Sequence, residues 1–176
     1  MKLKKVIISG APGTGKSSII KELKIRGYFC FEEVWKKEYK NPNKKYNSDD
    51  INIFSKHLFS ERLKHLETKI IPKTKDQVIF YDRSIIDTIS YLNNYKKNIE
   101  STWTEIAIKK RYYETIFFCP LWKEIYKQTN ERKESFEESI LIEKTLTSTY
   151  KEFLYKIKHV PKLDIIKRVD YILKNI

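Results

Sequence analysis

Near the start of the chain, Gly10-Ala11-Pro12-Gly13-Thr14-Gly15-Lys16-Ser17 keeps the spacing G-x-x-x-x-G-K-[ST]. The glycines let the backbone curl so that successive N–H groups point inward at a chain of phosphates. Lys16 reaches the terminal phosphates, and the Ser17 hydroxyl is a ligand for Mg²⁺. A helix starting at this point adds the partial positive charge of its N-terminus, and Ser18, next along it, joins the nucleotide-binding set. The implied chemistry is ATP binding with Mg²⁺. A carboxylate is expected at a neighbouring strand end to complete the metal side. Asp82 follows four apolar residues, Val78 to Tyr81, and fits, although a carboxylate there also suits a helix cap.

Three other groups have chemical potential. Glu32 and Glu33 follow the aromatic run Tyr28-Phe29-Cys30-Phe31. Strand alternation sends them to opposite sides, so only one reaches a pocket. Trp35 and Tyr39, just beyond, can stack on a planar ring. On a helical wheel, Ile51, Leu58, Phe59, Leu66 and Ile70 define one face, with Ser55 and Arg62 in its middle. A guanidinium inside an apolar stripe must find an anionic partner. His57, Glu61 and His65 run along one edge of that face, a spacing that reads better as a polar helix edge than as a metal site. No N-K-x-D segment is present to read a guanine base: the stretches after Asn41, Asn43 and Asn130 do not supply it.

These residues need elements to hold them. Val6 to Ile8 is an apolar run ending near a glycine, a buried parallel strand. A helix over about 16–26 follows, stopped by Gly27. Tyr28 to Phe31 is the second strand. Residues 40–48 are a polar loop, and Ser48 is expected to cap a helix running to about Lys69. Val78 to Tyr81 is the third strand and leads into a helix over 84–95. Thr102-x-x-Glu105 reads as a capping box for a helix to about Tyr112. Thr115 to Phe118 is the fourth strand. Ser135-x-x-Glu138 caps a long helix to about Phe153. Tyr155 to Val160 is a fifth, less apolar strand, and Asp164 opens a terminal helix. Apolar strands alternating with amphipathic helices predict a three-layer α/β/α fold around a mainly parallel five-stranded sheet. With no linker or repeat, residues 1–176 read as a single domain.

The chain has 176 residues and a formal net charge of +13. Of its 36 basic residues only six are Arg, and the excess is concentrated in residues 1–48. Nucleic-acid readers favour Arg for its bidentate fork, so a Lys-rich solvated surface is the better reading and a nucleic-acid partner is disfavoured. The two cysteines, Cys30 and Cys119, have no thiol at metal-ligand spacing. No apolar run is long enough to span a membrane. A reduced, cytoplasmic setting is expected.

Gly13 turns the loop into G-x-x-G-x-G-K-S, the version seen in nucleoside and nucleotide kinases. Asp82-Arg83-Ser84 resembles the D-R-Y of thymidylate kinases and the E-R-S of deoxynucleoside kinases. The chain as a whole resembles the small P-loop AAA-type ATPase domain family, whose best-known relatives are nicotinamide riboside kinase domains. The likeness covers the phosphate loop, Glu32-Glu33, Asp82-Arg83-Ser84 with Asp87 and Tyr91, the segment Asn130 to Ser135, and the tail from His159 through Pro161 and Arg168. It implies that one of Glu32 and Glu33 takes the acceptor's hydroxyl proton, and that Arg83 stabilises the transferring group. Arg132, from a lid spanning about 127–135, is expected to assist it. The likeness further implies that Trp35, Arg62 and Asp87 lie on the acceptor side and Pro161 near the adenine. The triplet matches neither kinase class fully, so neither specificity carries over, and a lid with one arginine argues against a heavily phosphorylated acceptor. The expected activity is transfer of the ATP γ-phosphate to a hydroxyl of a small nucleoside-like acceptor. An acceptor-free ATPase or nucleotide switch, and a polynucleotide 5′-kinase, are the alternatives.

Overall fold

A computed structural model describes residues 3–35, 50–72, 77–127 and 134–176. Its elements, in order, are β1 (Lys4–Ser9), α1 (Lys16–Ile25), β2 (Phe29–Phe31), α2 (Ile51–Glu67), β3 (Val78–Asp82), α3 (Ile85–Asn94), α4 (Ser101–Lys109), β4 (Thr115–Phe118), α5 (Phe136–Glu152), β5 (Lys156–His159) and α6 (Ile165–Lys174). The expected loop at 40–48, Tyr39, the Ser48 cap, and Arg132 with most of the lid segment lie outside the described residues.

The five strands form one parallel sheet in the order β2-β3-β1-β4-β5. Alternation along the inner strands divides the apolar side chains between two faces. Ile7, Ile79, Tyr81, Ile116 and Phe118 join a core with Phe59, Leu66, Ile85, Ile89, Trp103 and Leu146 from α2 to α5. Val6, Ile8, Val78, Phe80 and Phe117 join Ile19, Leu23, Val169 and Ile172 from α1 and α6. Helices therefore cover both faces, as the alternating pattern predicts. Each fully buried aliphatic side chain here contributes about 1.5–3 kcal/mol. Exposed Lys156 and half-buried Lys158 place charge on β5 at the sheet edge, which disfavours pairing with another chain.

The chain turns from β1 to β2 and β3 on one side, and to β4 and β5 on the other. The crevice beyond the C-terminal ends of β1, β3 and β4 is the place where a sheet of this kind binds its ligands.

Two helix starts differ from expectation. Asp50 caps α2, its carboxylate accepting from Asn52 N–H at 2.9 Å and Ile53 N–H at 3.2 Å. At α4, Thr102 and Glu105 lie inside the helix behind Glu100, with no side-chain cap. The helix also ends early, at Lys109. Tyr112 leaves it to enter the core, its ring edge-on to Tyr81 at 5.2 Å and its N–H donating to the Tyr155 hydroxyl at 3.2 Å. Burial of that ring overrides the local helical pattern. The caps at Ser135 and Asp164 are as expected, and at α3 the cap is Ser84 rather than Asp82.

Candidate functional site

The phosphate loop joins β1 to α1. Gly10 has φ +142, and a Cβ there would lie 2.3 Å from the Cys119 carbonyl oxygen, so no other residue fits. Gly15 has φ +83 at the start of α1. The Thr14 hydroxyl donates to the Ala11 carbonyl at 3.0 Å, tying the loop across itself. Lys16 is buried, and its Nζ donates to the same carbonyl at 2.7 Å and to Thr14 Oγ1 at 3.3 Å. Burial, and then the nearby charge of Arg83, push its pKa down to about 7. Ser17 Oγ donates to Asp82 Oδ2 at 3.3 Å. A hydroxyl and a carboxylate converging at the foot of a phosphate loop form a donor set suited to a hard cation such as Mg²⁺.

One strand further out, the two glutamates separate as alternation requires. Glu32 is exposed and pairs with Lys24 on the surface. Glu33 is 3% exposed, and both its oxygens are engaged. Oε1 accepts from Arg62 Nη2 at 2.6 Å, and Oε2 from Arg83 Nε at 2.6 Å. Arg62, reaching in from the apolar face of α2, also donates to Thr88 Oγ1 at 2.7 Å. The anionic partner its position demands is thus Glu33.

Arg83 sits just past β3 with φ 73, a left-handed conformation that costs a non-glycine residue about 1–2 kcal/mol. The backbone is held there by its N–H, which donates to the Ile8 carbonyl at 3.1 Å. The turn aims the guanidinium inward, 7% exposed, between Glu33 and Asp87 and over the Tyr91 ring at 5.4 Å. It is a buried member of an ion-pair network beside the loop.

Asp87 is 0% exposed and is the hub that holds Arg83. Its carboxylate accepts from Ser9 Oγ at 2.6 Å, Arg83 Nη1 at 3.2 Å, Ser84 N–H at 2.8 Å, Ser84 Oγ at 3.0 Å and the Tyr150 hydroxyl. Burial alone raises a carboxyl pKa, but Arg83 and Arg62 hold this one below its ordinary value. Tyr150, from α5, also meets Ser84 Oγ at 2.8 Å. Replacing Tyr150 by Phe should therefore destabilise the fold by about 1.5–3 kcal/mol, the range for a hydrogen bond to a charged group. Urea unfolding would check this; an unchanged midpoint would mean that Tyr150 is not needed at the hub.

The remaining nominated residues are more dispersed. Trp35 is half-buried at the end of a described stretch. Pro161 follows β5 in a turn closed by Leu163 N–H to its carbonyl at 3.0 Å. Among the described residues, no group of three or more His, Cys, Asp or Glu side chains could hold a metal, and His65 instead stacks on Phe31 with ring centroids 4.4 Å apart. Burial raises both thiols, Cys30 to about 12, so neither is a nucleophile near neutrality.

The structure also brings in a residue that the sequence reading left without a role. Arg168, on α6, donates from Nη2 to the Thr14 carbonyl at 2.9 Å, behind the phosphate loop. The sequence did carry its signal. Arg168 lies on the face of α6 that buries Val169 and Ile172, the same apolar-face placement that singled out Arg62.

The family profile described as an AAA domain matches residues 5–168. No curated protein matches the chain significantly. Among solved structures, deoxyadenosine kinase from M. mycoides with products dCMP and a flexible dCDP bound is 19% identical, with TM-score 0.64, covering 97% of this chain and 96% of that one. NadR protein in complex with NR is 15% identical, with TM-score 0.66, covering 98% of this chain and 51% of that one. Thymidylate kinase from Ehrlichia chaffeensis is 14% identical, with TM-score 0.63, covering 99% and 98%. At these identities the likeness is one of fold.

Proposed function

The chain belongs to the AAA domain family, matched over residues 5–168, and from that premise we propose that it is a kinase moving the ATP γ-phosphate to a hydroxyl of an unphosphorylated, nucleoside-like acceptor. The observation that carries this reading is Glu33, a buried carboxylate held between two guanidinium groups beside the phosphate loop. A nucleotide switch needs no such acid. The names of the neighbours, deoxyadenosine kinase and a protein in complex with NR, support the acceptor class.

The loop from Gly10 to Ser18 holds the triphosphate, with Lys16 on its terminal phosphates. Ser17 and Asp82 would hold Mg²⁺, which would supply charge neutralisation to the phosphates. Each Glu33 oxygen keeps a lone pair beyond its arginine contact, so the carboxylate can accept the acceptor's hydroxyl proton. The acceptor oxygen then bonds to the γ-phosphorus, the bond to the β-phosphate bridging oxygen breaks, and ADP leaves with that electron pair. Arg83, and Arg132 from the lid segment, stabilise the charge in transit. Pro161 borders the adenine.

Charge matching favours an unphosphorylated acceptor. Among the described residues, Arg62 and Arg83 already share their charge with Glu33 and Asp87, so neither offers the surplus positive charge that a dianionic acceptor phosphate would need. A screen with labelled ATP tests the reading against nucleosides, nicotinamide riboside, nucleoside monophosphates and 5′-hydroxyl oligonucleotides. Transfer to a nucleoside or to the riboside is expected. Transfer only to monophosphates or oligonucleotides, or hydrolysis with no transfer, would overturn it.

A further inference from the structure

Six of the 36 basic residues are Arg, and among the described residues three of these, Arg62, Arg83 and Arg168, are buried. Arg62 and Arg83 have carboxylate partners. Arg168 has no carboxylate partner among the described residues. It is 2% exposed, and its Nη2 donates to the Thr14 carbonyl. Nε and Nη1 are buried without partners. Its neighbour Cys119 is a thiol that burial keeps protonated, so it offers no counter-charge.

A buried cation is normally paired, because desolvation is otherwise uncompensated. The exception here lies in a telling place. A Cβ on Gly15 would stand 2.6 Å from Arg168 Nη1, so the guanidinium lies against the Thr14–Gly15 stretch where the loop enters α1. The ion pair of Arg26 on α1's cap with Asp170 anchors α6 beside that helix. The negative charge that this guanidinium lacks is of the kind a polyphosphate brings to the loop.

We propose that Arg168 is a positioning residue of the phosphate loop, a cation whose charge is matched when a nucleoside triphosphate is bound. By holding the Thr14 carbonyl it fixes the orientation of the next peptide groups, whose N–H donors serve the phosphates. Its charge adds to that of the α1 N-terminus from behind the loop. At position 15 the left-handed backbone, φ +83, favours glycine, and a Cβ there would also crowd this guanidinium. The inference rests on the nucleotide-site reading above, but not on the identity of the acceptor.

The test is calorimetric binding of MgATP to the wild-type chain and to R168M, R168Q and R168K, with the melting temperature of each ligand-free protein. R168M and R168Q are expected to weaken ATP binding tenfold or more, equivalent to about 1.4 kcal/mol. R168K, which keeps the charge and can reach one carbonyl, should recover most of that affinity. Ligand-free R168M should melt no lower than the wild type, because an unmatched buried charge has been removed. Three results would overturn the inference: weakening of less than about threefold, a lysine variant as weak as the methionine one, or variants that bind normally but melt much lower or not cooperatively. A wild-type chain that does not bind ATP would overturn the nucleotide-site reading and this inference with it.

Discussion

Replacing Glu33 by Gln should slow phosphoryl transfer by about 10²–10⁴-fold, the range for loss of a positioned general base, while Glu32→Gln should leave the rate within about twofold. The two residues are adjacent in sequence but opposite in environment. Glu32 meets Lys24 at the surface, where an ion pair contributes little. Glu33 is enclosed by Arg62 and Arg83. The Gln variant also leaves two buried guanidinium groups short of their shared counter-charge, and breaking such a pair costs about 3–5 kcal/mol. A slow Glu33→Gln enzyme could therefore be merely an unstable one. The double variant Glu33→Leu with Arg62→Met separates the two effects, because apolar replacement of a buried pair is often neutral for stability. It should fold about as well as the wild type and still fail to transfer phosphate. Single-turnover rates with labelled ATP, beside urea unfolding of the same samples, read both quantities. An active double variant, or a Glu32→Gln enzyme as slow as Glu33→Gln, would remove Glu33 from the mechanism.

That contrast marks how far the sequence alone could go. Alternation at the end of β2 says that one of the two glutamates turns inward. Which one depends on the twist of a three-residue edge strand and on what α2 presents to it, and neither is encoded locally. Arg62 was legible because five apolar positions on one helix face set a period against which a charge stands out. Arg168 carried a similar signal on α6, but only the folded chain brings residue 168 beside residue 14. The phosphate loop and Asp82 were legible for the opposite reason: their chemistry is local, set by spacing within one turn and by a strand end. The structural part of Asp87 was not legible, because a carboxylate three residues after Ser84 suits either a substrate contact or a capping box. Its five donors come from β1, the turn after β3, and α5, and no window of sequence contains all three. At α4, the capping-box pattern at Thr102 was real as a pattern, but the helix that buries Trp103 and Ala107 starts two residues earlier, behind Glu100.

The same comparison changes the meaning of the +13 charge. The lysine excess is largely a solvated surface. The three buried arginines among the described residues fall into two kinds: Arg62 and Arg83, each paired with a carboxylate, and Arg168 behind the loop, without one. Such an arrangement suits the proposed pairing of an unphosphorylated acceptor with a strongly anionic nucleotide.

Lys16 gives the last expected result, and its sign can be worked out. In the ligand-free chain the Lys16 pKa is about 7, against 10.4 for a free lysine. Between those values the unfolded chain binds a proton that the folded chain has released. This residue's contribution to stability therefore rises with pH over that window, because the unfolded state holds more protons. Nucleotide binding has the opposite dependence. Beside a triphosphate the amine must be charged, so binding takes up a proton wherever the free protein has lost it. At pH 8, MgATP binding should take up nearly one proton, and above pH 7 its affinity should fall by about tenfold per unit. Calorimetry in buffers of different ionisation enthalpy reads the uptake directly. Lys16→Met should abolish the uptake and weaken binding by at least about 100-fold, the scale of one charge-assisted contact to phosphate in a buried site. It should also flatten the alkaline rise in the stability of the free protein. A wild-type chain that binds ATP with no proton uptake at pH 8 would show that Lys16 is charged before the nucleotide arrives. The amine would then be held by a carboxylate rather than folded back onto the Ala11 carbonyl, 2.7 Å away.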